Sequence, residues 1–131
     1  MQKKQTTVLC GGCFNAIHEG HEWFLKRAKA LGDCLVVVIA NDAHNVKPYA
    51  RPAAARARAL RTLGIADKVV IGSAKGFLTT ILKIRPQVVV LGYDQTLPAD
   101  VSDALGEMKI IVRRMPQYKK LSTRALLAKR S

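Results

Sequence analysis

Thr7-Val8-Leu9-Cys10-Gly11-Gly12-Cys13-Phe14-Asn15-Ala16-Ile17-His18-Glu19-Gly20-His21 is the stretch that decides how this chain folds. An apolar run reaches a glycine pair, and an amphipathic segment opens after the histidines, so it reads as strand, glycine turn and helix start. His18 and His21 stand three apart around Gly20, which puts both on one face where that helix begins. The first N–H groups of a helix lack partners and carry partial positive charge, which favours an anion there. Gly11, Gly12 and Gly20 carry no Cβ to hold a phosphate off that backbone. The imidazoles can donate hydrogen bonds to phosphate oxygens as charge develops on them. The stretch predicts a phosphate site; the alternative is a surface turn with two solvated histidines.

Beyond it, apolar strands alternate with amphipathic helices. The first helix is expected from about Glu19 to Leu31, with His21, Phe24, Leu25, Ala28 and Leu31 on one face. Gly32-Asp33 ends it, and Cys34 to Ala40 is a β-branched run of the kind buried on both sides in a parallel sheet. A loop from Asn41 to Pro52 leads to an alanine- and arginine-rich helix, Ala53 to Leu63, with Pro52 suited to its start and Gly64 to its end. There follow a strand (Val69-Val70-Ile71), a helix (Lys75 to Ile84, stopped before Pro86) and a strand (Val88 to Leu91). A short helix near Asp100 to Leu105, a strand Ile110-Ile111-Val112 and a last helix from Ser122 complete the pattern. Such alternation predicts an α/β fold, a Rossmann-like doubly wound five-stranded parallel sheet with helices on both faces. In strand order 3-2-1-4-5 the loops after the first and fourth strands, His18/His21 and Gly92-Tyr93-Asp94-Gln95, meet where strand order reverses.

The chain has 131 residues, expected to form a single domain over residues 1–131. No apolar run has the length of a membrane span, and Met1 to Gln5 lacks the apolar core of a secretory signal, so the expected compartment is the cytoplasm and no membrane partner is expected. Three cysteines do not suit a disulfide framework. Cys10 and Cys13 form a Cys-x-x-Cys, but no second pair completes a zinc site, and small apolar fillers are the favoured reading. The net charge is +13, and from Lys109 onward eight basic residues stand without an acidic one. That excess suits a polyanionic ligand. Nucleic acid is possible but not favoured, because few aromatics speak against a base-stacking platform. A solvated, repulsive surface is the third reading.

His-x-Gly-His after a Gly-x-Phe-Asp/Asn turn resembles the nucleotidyltransferases that join a nucleoside monophosphate to an acceptor phosphate and release pyrophosphate. Asn15 departs from the aspartate usual in the nearest branches. Leu91-Gly92-Tyr93-Asp94-Gln95 is similar to the corresponding loop of archaeal-type FAD synthases. Leu121-Ser122-Thr123-Arg124 is similar to the Ile-Ser-Thr-Thr or Ser-Ser-Thr-Lys stretch that closes the family's site. Gln117 stands where the cytidylyltransferase branch carries arginine, with Arg113, Arg114, Lys119 or Lys120 as substitutes.

The resemblance implies transfer of AMP from ATP to FMN, with glycerol-3-phosphate cytidylyltransferase or sugar-phosphate adenylyltransferase as alternatives. A non-catalytic nucleotide- or nucleic-acid-binding protein is the reading from another class. Implied catalytic residues are His18, His21 and Lys47. Implied nucleotide contacts are Gly12, Cys13, Phe14, His18, His21, Gly92, Asp94, Ser122, Thr123 and Arg124. Asp42, Lys47 and Arg56 are implied to hold the acceptor, and His44 is taken as a surface residue. Trp23 and Tyr49 are candidates for stacking on an aromatic acceptor, with core or partner packing favoured. Mg²⁺ is expected to travel mainly on the nucleotide, with no protein metal site, and the expected assembly is a homodimer.

Overall fold

The computed structural model describes residues 5–46 and 48–118. Five parallel strands, β1 (Thr7–Gly12), β2 (Cys34–Ile39), β3 (Lys68–Ile71), β4 (Val88–Leu91) and β5 (Ile111–Arg114), form one sheet in the order β3-β2-β1-β4-β5. The expected strand order is the observed one. Helices α1 (Glu19–Lys29) and α2 (Ala53–Leu63) lie on one face, and α3 (Phe77–Ile84) and α4 (Ala99–Glu107) on the other. Each face has its own core. Val8, Cys10, Leu35, Val37 and Ile39 point toward α1 and α2, while Leu9, Val38, Val89 and Leu91 point toward α3 and α4. This alternation is the period-2 signature of a strand covered on both sides.

The largest departure from the sequence reading is at the glycine pair. Gly11 and Gly12 are not a turn but the last residues of β1, paired with Val38 and Ile39 of β2. A Cβ on Gly11 would stand 3.2 Å from the Val38 carbonyl oxygen and 3.3 Å from the Phe77 ring, so its smallness serves packing. α1 ends at Lys29 rather than Leu31, and Leu31 is exposed instead of completing the buried face. α3 starts two residues later than expected, at Phe77, because Gly76 before it holds φ at +122° and Ser73 and Lys75 form a separate turn. β5 runs to Arg114, and the loop after β2 contains a 3-10 turn at Asp42–His44. α2 matches the expected bounds, closed by Gly64 in the left-handed region at φ +71°, where a Cβ would be strained. The expected helix from Ser122 lies outside the described residues.

Candidate active site

His18 is the N-cap of α1 and His21 its third residue, and each caps through its own imidazole. The Gly20 N–H donates to His18 Nδ1 at 3.1 Å, and the His18 N–H donates to His21 Nδ1 at 3.2 Å. Backbone amides only donate, so both Nδ1 atoms accept and each ring carries its proton on Nε2. The helix start therefore offers imidazole Nε2–H groups in place of the open backbone N–H groups that the sequence suggested. The rings lie 4.0 Å apart between centroids, tilted by 34°. Gly20 makes the arrangement possible: a Cβ there would stand 2.9 Å from His18 Cε1.

Burial, and then the charge of His18 beside it, lowers the pKa of His21 below the usual histidine value of 6.5. The unfolded chain thus takes up this proton at a higher pH than the folded one. The stability contributed by His21 is complete above pH 6.5 and is lost as pH falls below it toward the folded value. The thermal midpoint is expected to be flat between pH 7 and 8 as far as His21 is concerned, then to drop below about 6.5. In a His21→Gln variant that component disappears; an unchanged acid-side drop would show that another group sets it.

Phe14 turns the chain out of β1 in the left-handed region, at φ +53°, which is strained for a bulky residue. Its ring packs on His21 at 5.3 Å between centroids, and a Cβ on Gly12 would meet that ring at 3.1 Å. Gly12 thus serves the Phe14 ring. Next to it, buried Asn15 and Asn45 exchange amide hydrogen bonds of 2.9 and 2.7 Å, and the Arg51 N–H donates to Asn15 Oδ1. A carboxylate at position 15 would put an acceptor against the Asn45 oxygen, so the departure from aspartate is matched by Asn45.

Arg56 is fully buried, contrary to its expected place on the acceptor. Its guanidinium donates to the carbonyls of Arg51 (2.7 Å) and Cys13 (2.8 Å) and to Asp42 Oδ1 (2.9 Å). Asp42 Oδ1 also accepts from the Ala53 N–H at the start of α2. The pair ties the loop after β1 to the loop after β2. His44 is exposed, as expected of a surface residue, and its Nε2 pairs with the Ala74 carbonyl oxygen at 2.8 Å, joining the loops after β2 and β3.

The loop after β4 is organised by Gln95 and Arg114. The Gly92 N–H donates to Gln95 Oε1 at 2.7 Å, and Gln95 Nε2 donates to the Gly11 carbonyl at 2.9 Å. Arg114 Nη1 donates to the carbonyls of Gly92, Tyr93 and Gln95, so it holds this loop. Asp94 is exposed on the cleft, and a Cβ on Gly92 would meet only ordinary contacts, so no packing requires glycine there.

Two clefts open at the carboxyl ends of the strands. One, of about 640 Å³, runs from Gly11–Phe14 past His18 and His21 to Tyr93, Asp94 and Pro116. The other, of about 340 Å³, is mostly apolar and lies between the loops after β2, β3 and β4, lined by Val38, Ala40, Phe77, Leu91, Leu97 and Pro98. Gly11, Gly12 and Gln95 line both. The chain has three Phe, three Tyr and one Trp. All but Phe77 line the larger cleft, and Phe77 lines the smaller. Low aromatic content concealed that convergence. Trp23 lies in the rim, packed on Tyr118 at 5.3 Å with Arg27 over its ring at 5.2 Å, and Tyr49 lines the same cleft.

Lys47, Ser122, Thr123 and Arg124 lie outside the described residues, as do Lys119 and Lys120. Cys10 is buried in β1, where burial pushes its thiol up to about 12, and Cys13 is a free thiol. Among the described residues no three His, Cys, Asp or Glu side chains come together to hold a metal ion, and no helix is long and apolar enough to cross a membrane.

A parallel sheet with a histidine-capped helix start at its switch point defines a class, and the chain belongs to the cytidylyltransferase-like family, whose model matches residues 9–128. Among the relatives that this chain is similar to are archaeal FAD synthases. The FAD synthase of Pyrococcus horikoshii is 38% identical over 89% of this chain and 85% of its own length. That of Methanosarcina acetivorans is 44% identical over 69% of this chain, and the match spans 61% of that relative's length. The lipopolysaccharide core biosynthesis protein from Thermoplasma volcanium superposes with a TM-score of 0.79 at 29% identity, covering 88% of this chain and 100% of its own.

Proposed function

We propose that this chain transfers AMP from ATP to the phosphate of FMN, forming FAD and releasing pyrophosphate. The observation that carries the reading is the pair of neighbouring clefts that share Gly11 and Gly12 in their walls and that between them are lined by every Phe, Tyr and Trp side chain. FAD has two planar ring systems, one at each end of a diphosphate. The larger cleft, with His18, His21, Gly92 and Asp94, takes the nucleotide; the apolar cleft with Phe77 takes the flavin rings.

The acceptor phosphate is largely ionised at neutral pH, with a second pKa near 6, so no strong base is needed to make it a nucleophile. Its oxygen attacks the α-phosphorus, the bond to the β-phosphate oxygen breaks, and pyrophosphate leaves. His18 and His21 donate from Nε2 to the α-phosphate oxygens as their charge grows. Gly12, Cys13 and Phe14 shape the floor beneath. Lys47, Ser122, Thr123 and Arg124 are assigned to the departing pyrophosphate. Asp42 and Arg56 serve the acceptor by holding the loops that frame it.

Mg²⁺ bound to the triphosphate supplies charge neutralisation there. The cleft's donor set fits such an ion held mainly by phosphate oxygens and water, with Asp94 the carboxylate at hand.

If the flavin rings enter the apolar cleft, Phe77→Ala should raise the KM for FMN roughly tenfold, the scale of a lost aromatic contact of 1–1.5 kcal/mol. The KM for ATP should stay within about twofold. Steady-state kinetics with each substrate varied would test this; an equal rise for both would place the rings elsewhere.

A further inference from the structure

Among the described residues Gln95 is the one side chain that lines both clefts, and it bridges the strand ends between them. Its Oε1 takes the Gly92 N–H after β4, and its Nε2 binds the Gly11 carbonyl at the end of β1. β1 and β4 are neighbours at the point where strand order reverses. Their ladder joins Val8–Cys10 to Val88–Val90, so beyond it Gln95 carries the connection between the two strand ends. Only a carboxamide of this length has the acceptor and the donor that the two backbone groups require. The Gln95 N–H also donates to the Gly92 carbonyl at 3.2 Å, and Arg114 holds the outer side of the same loop, so the backbone that carries this side chain is held as well.

We infer that Gln95 is a positioning residue that partitions the two clefts, setting where the acceptor phosphate meets the α-phosphate and keeping water out of that space. The inference rests on the nucleotidyl-transfer reading of the site. A displacement of about 1 Å between reacting groups costs on the order of 10²-fold in rate. A shortened side chain also leaves room for water beside the α-phosphate. Water oxygen then attacks the α-phosphorus, the bond to the β-phosphate oxygen breaks, AMP and pyrophosphate leave, and the proton of water passes to solvent.

The test compares wild type with Gln95→Ala and Gln95→Glu, following FAD and AMP formation with ATP, Mg²⁺ and FMN, and AMP formation with ATP and Mg²⁺ alone. The Glu variant keeps the acceptor for Gly92 but sets a carboxylate oxygen against the Gly11 carbonyl. Both variants should lose FAD turnover by roughly 30- to 100-fold, with both KM values within about threefold, since position is lost rather than binding. The ratio of AMP to FAD should rise at least about tenfold, which loss of folded protein alone would not produce. FAD turnover within threefold of wild type, or an unchanged product ratio, would overturn the inference. The two arms separate the two readings: wild type that makes no FAD when FMN is present counts against the acceptor, whereas AMP release without FMN that does not rise in either variant counts against Gln95.

Discussion

Alanine at His18 or at His21 should lower kcat for nucleotidyl transfer by about 10²- to 10³-fold, the loss measured when one preorganised donor to a charged transition state is removed. Each imidazole has its Nδ1 held by a backbone N–H, at 3.1 Å for His18 and 3.2 Å for His21, so each Nε2–H is oriented before substrate arrives. Such donors stabilise the α-phosphate more as bonds change than in the ground state, so kcat should fall far more than the KM for ATP rises. Some stability should go as well, because each ring satisfies a helix-start N–H, worth about 1 kcal/mol per cap. His18→Asn separates the two effects. Asparagine is a good N-cap and should restore stability, yet its shorter amide does not reach where Nε2 stood, so the rate should stay low. Recovery of rate together with stability would assign His18 a capping role alone.

Arg56→Ala should cost about 3 kcal/mol or more, because hydrogen bonds from a charged group contribute about 1.5–3 kcal/mol each and a buried truncation adds a cavity. For a chain of this size that corresponds to a fall in Tm of about 10 °C. Arg56 donates to two carbonyls and a carboxylate with no exposure to solvent. Arg56→Lys should recover little, since one ammonium cannot reproduce a fork aimed at three acceptors. The remaining folded enzyme should keep its KM for FMN within about threefold while kcat falls. Thermal denaturation and steady-state kinetics on the same samples would decide. A large rise in the KM for FMN at unchanged Tm would return Arg56 to the acceptor contact that its place in the family pattern suggested.

The legible parts of this protein were those written in local pattern. Cys34–Ile39 and Val88–Leu91 are unbroken apolar runs, and both are strands buried on two faces. Ala53–Leu63, bracketed by Pro52 and Gly64, carried its own start and stop signals. The misreadings share a cause: the deciding neighbour lies far along the chain. Gly11 and Gly12 are strand because Val38 and Ile39 pair with them, and no local signal announces that. The role of Gln95 depends on Gly11, and the aromatic residues converge from positions as distant as Phe14 and Tyr118. Arg56 was the recoverable case. Ala53, Arg56, Ala57 and Leu60 occupy one helical face, and all four are buried, so the spacing alone turned this arginine inward.

The site itself was half legible. The spacing of His18 and His21 singled them out as candidates, but it did not disclose the exchange in which each imidazole caps the helix start. Side-chain capping by histidine has no spacing distinct from the phosphate motif, so one pattern suits the observed capping and the proposed phosphate contact alike.

Incubation of the protein with ATP, FMN and Mg²⁺, with CTP and glycerol 3-phosphate in parallel, followed by chromatography of the products, tests the proposed activity most directly. FAD and pyrophosphate are expected in equal amounts, with no CDP-glycerol. CDP-glycerol without FAD would contradict the assignment of nucleotide and acceptor, and the absence of both FAD and CDP-glycerol would contradict the proposed activity itself.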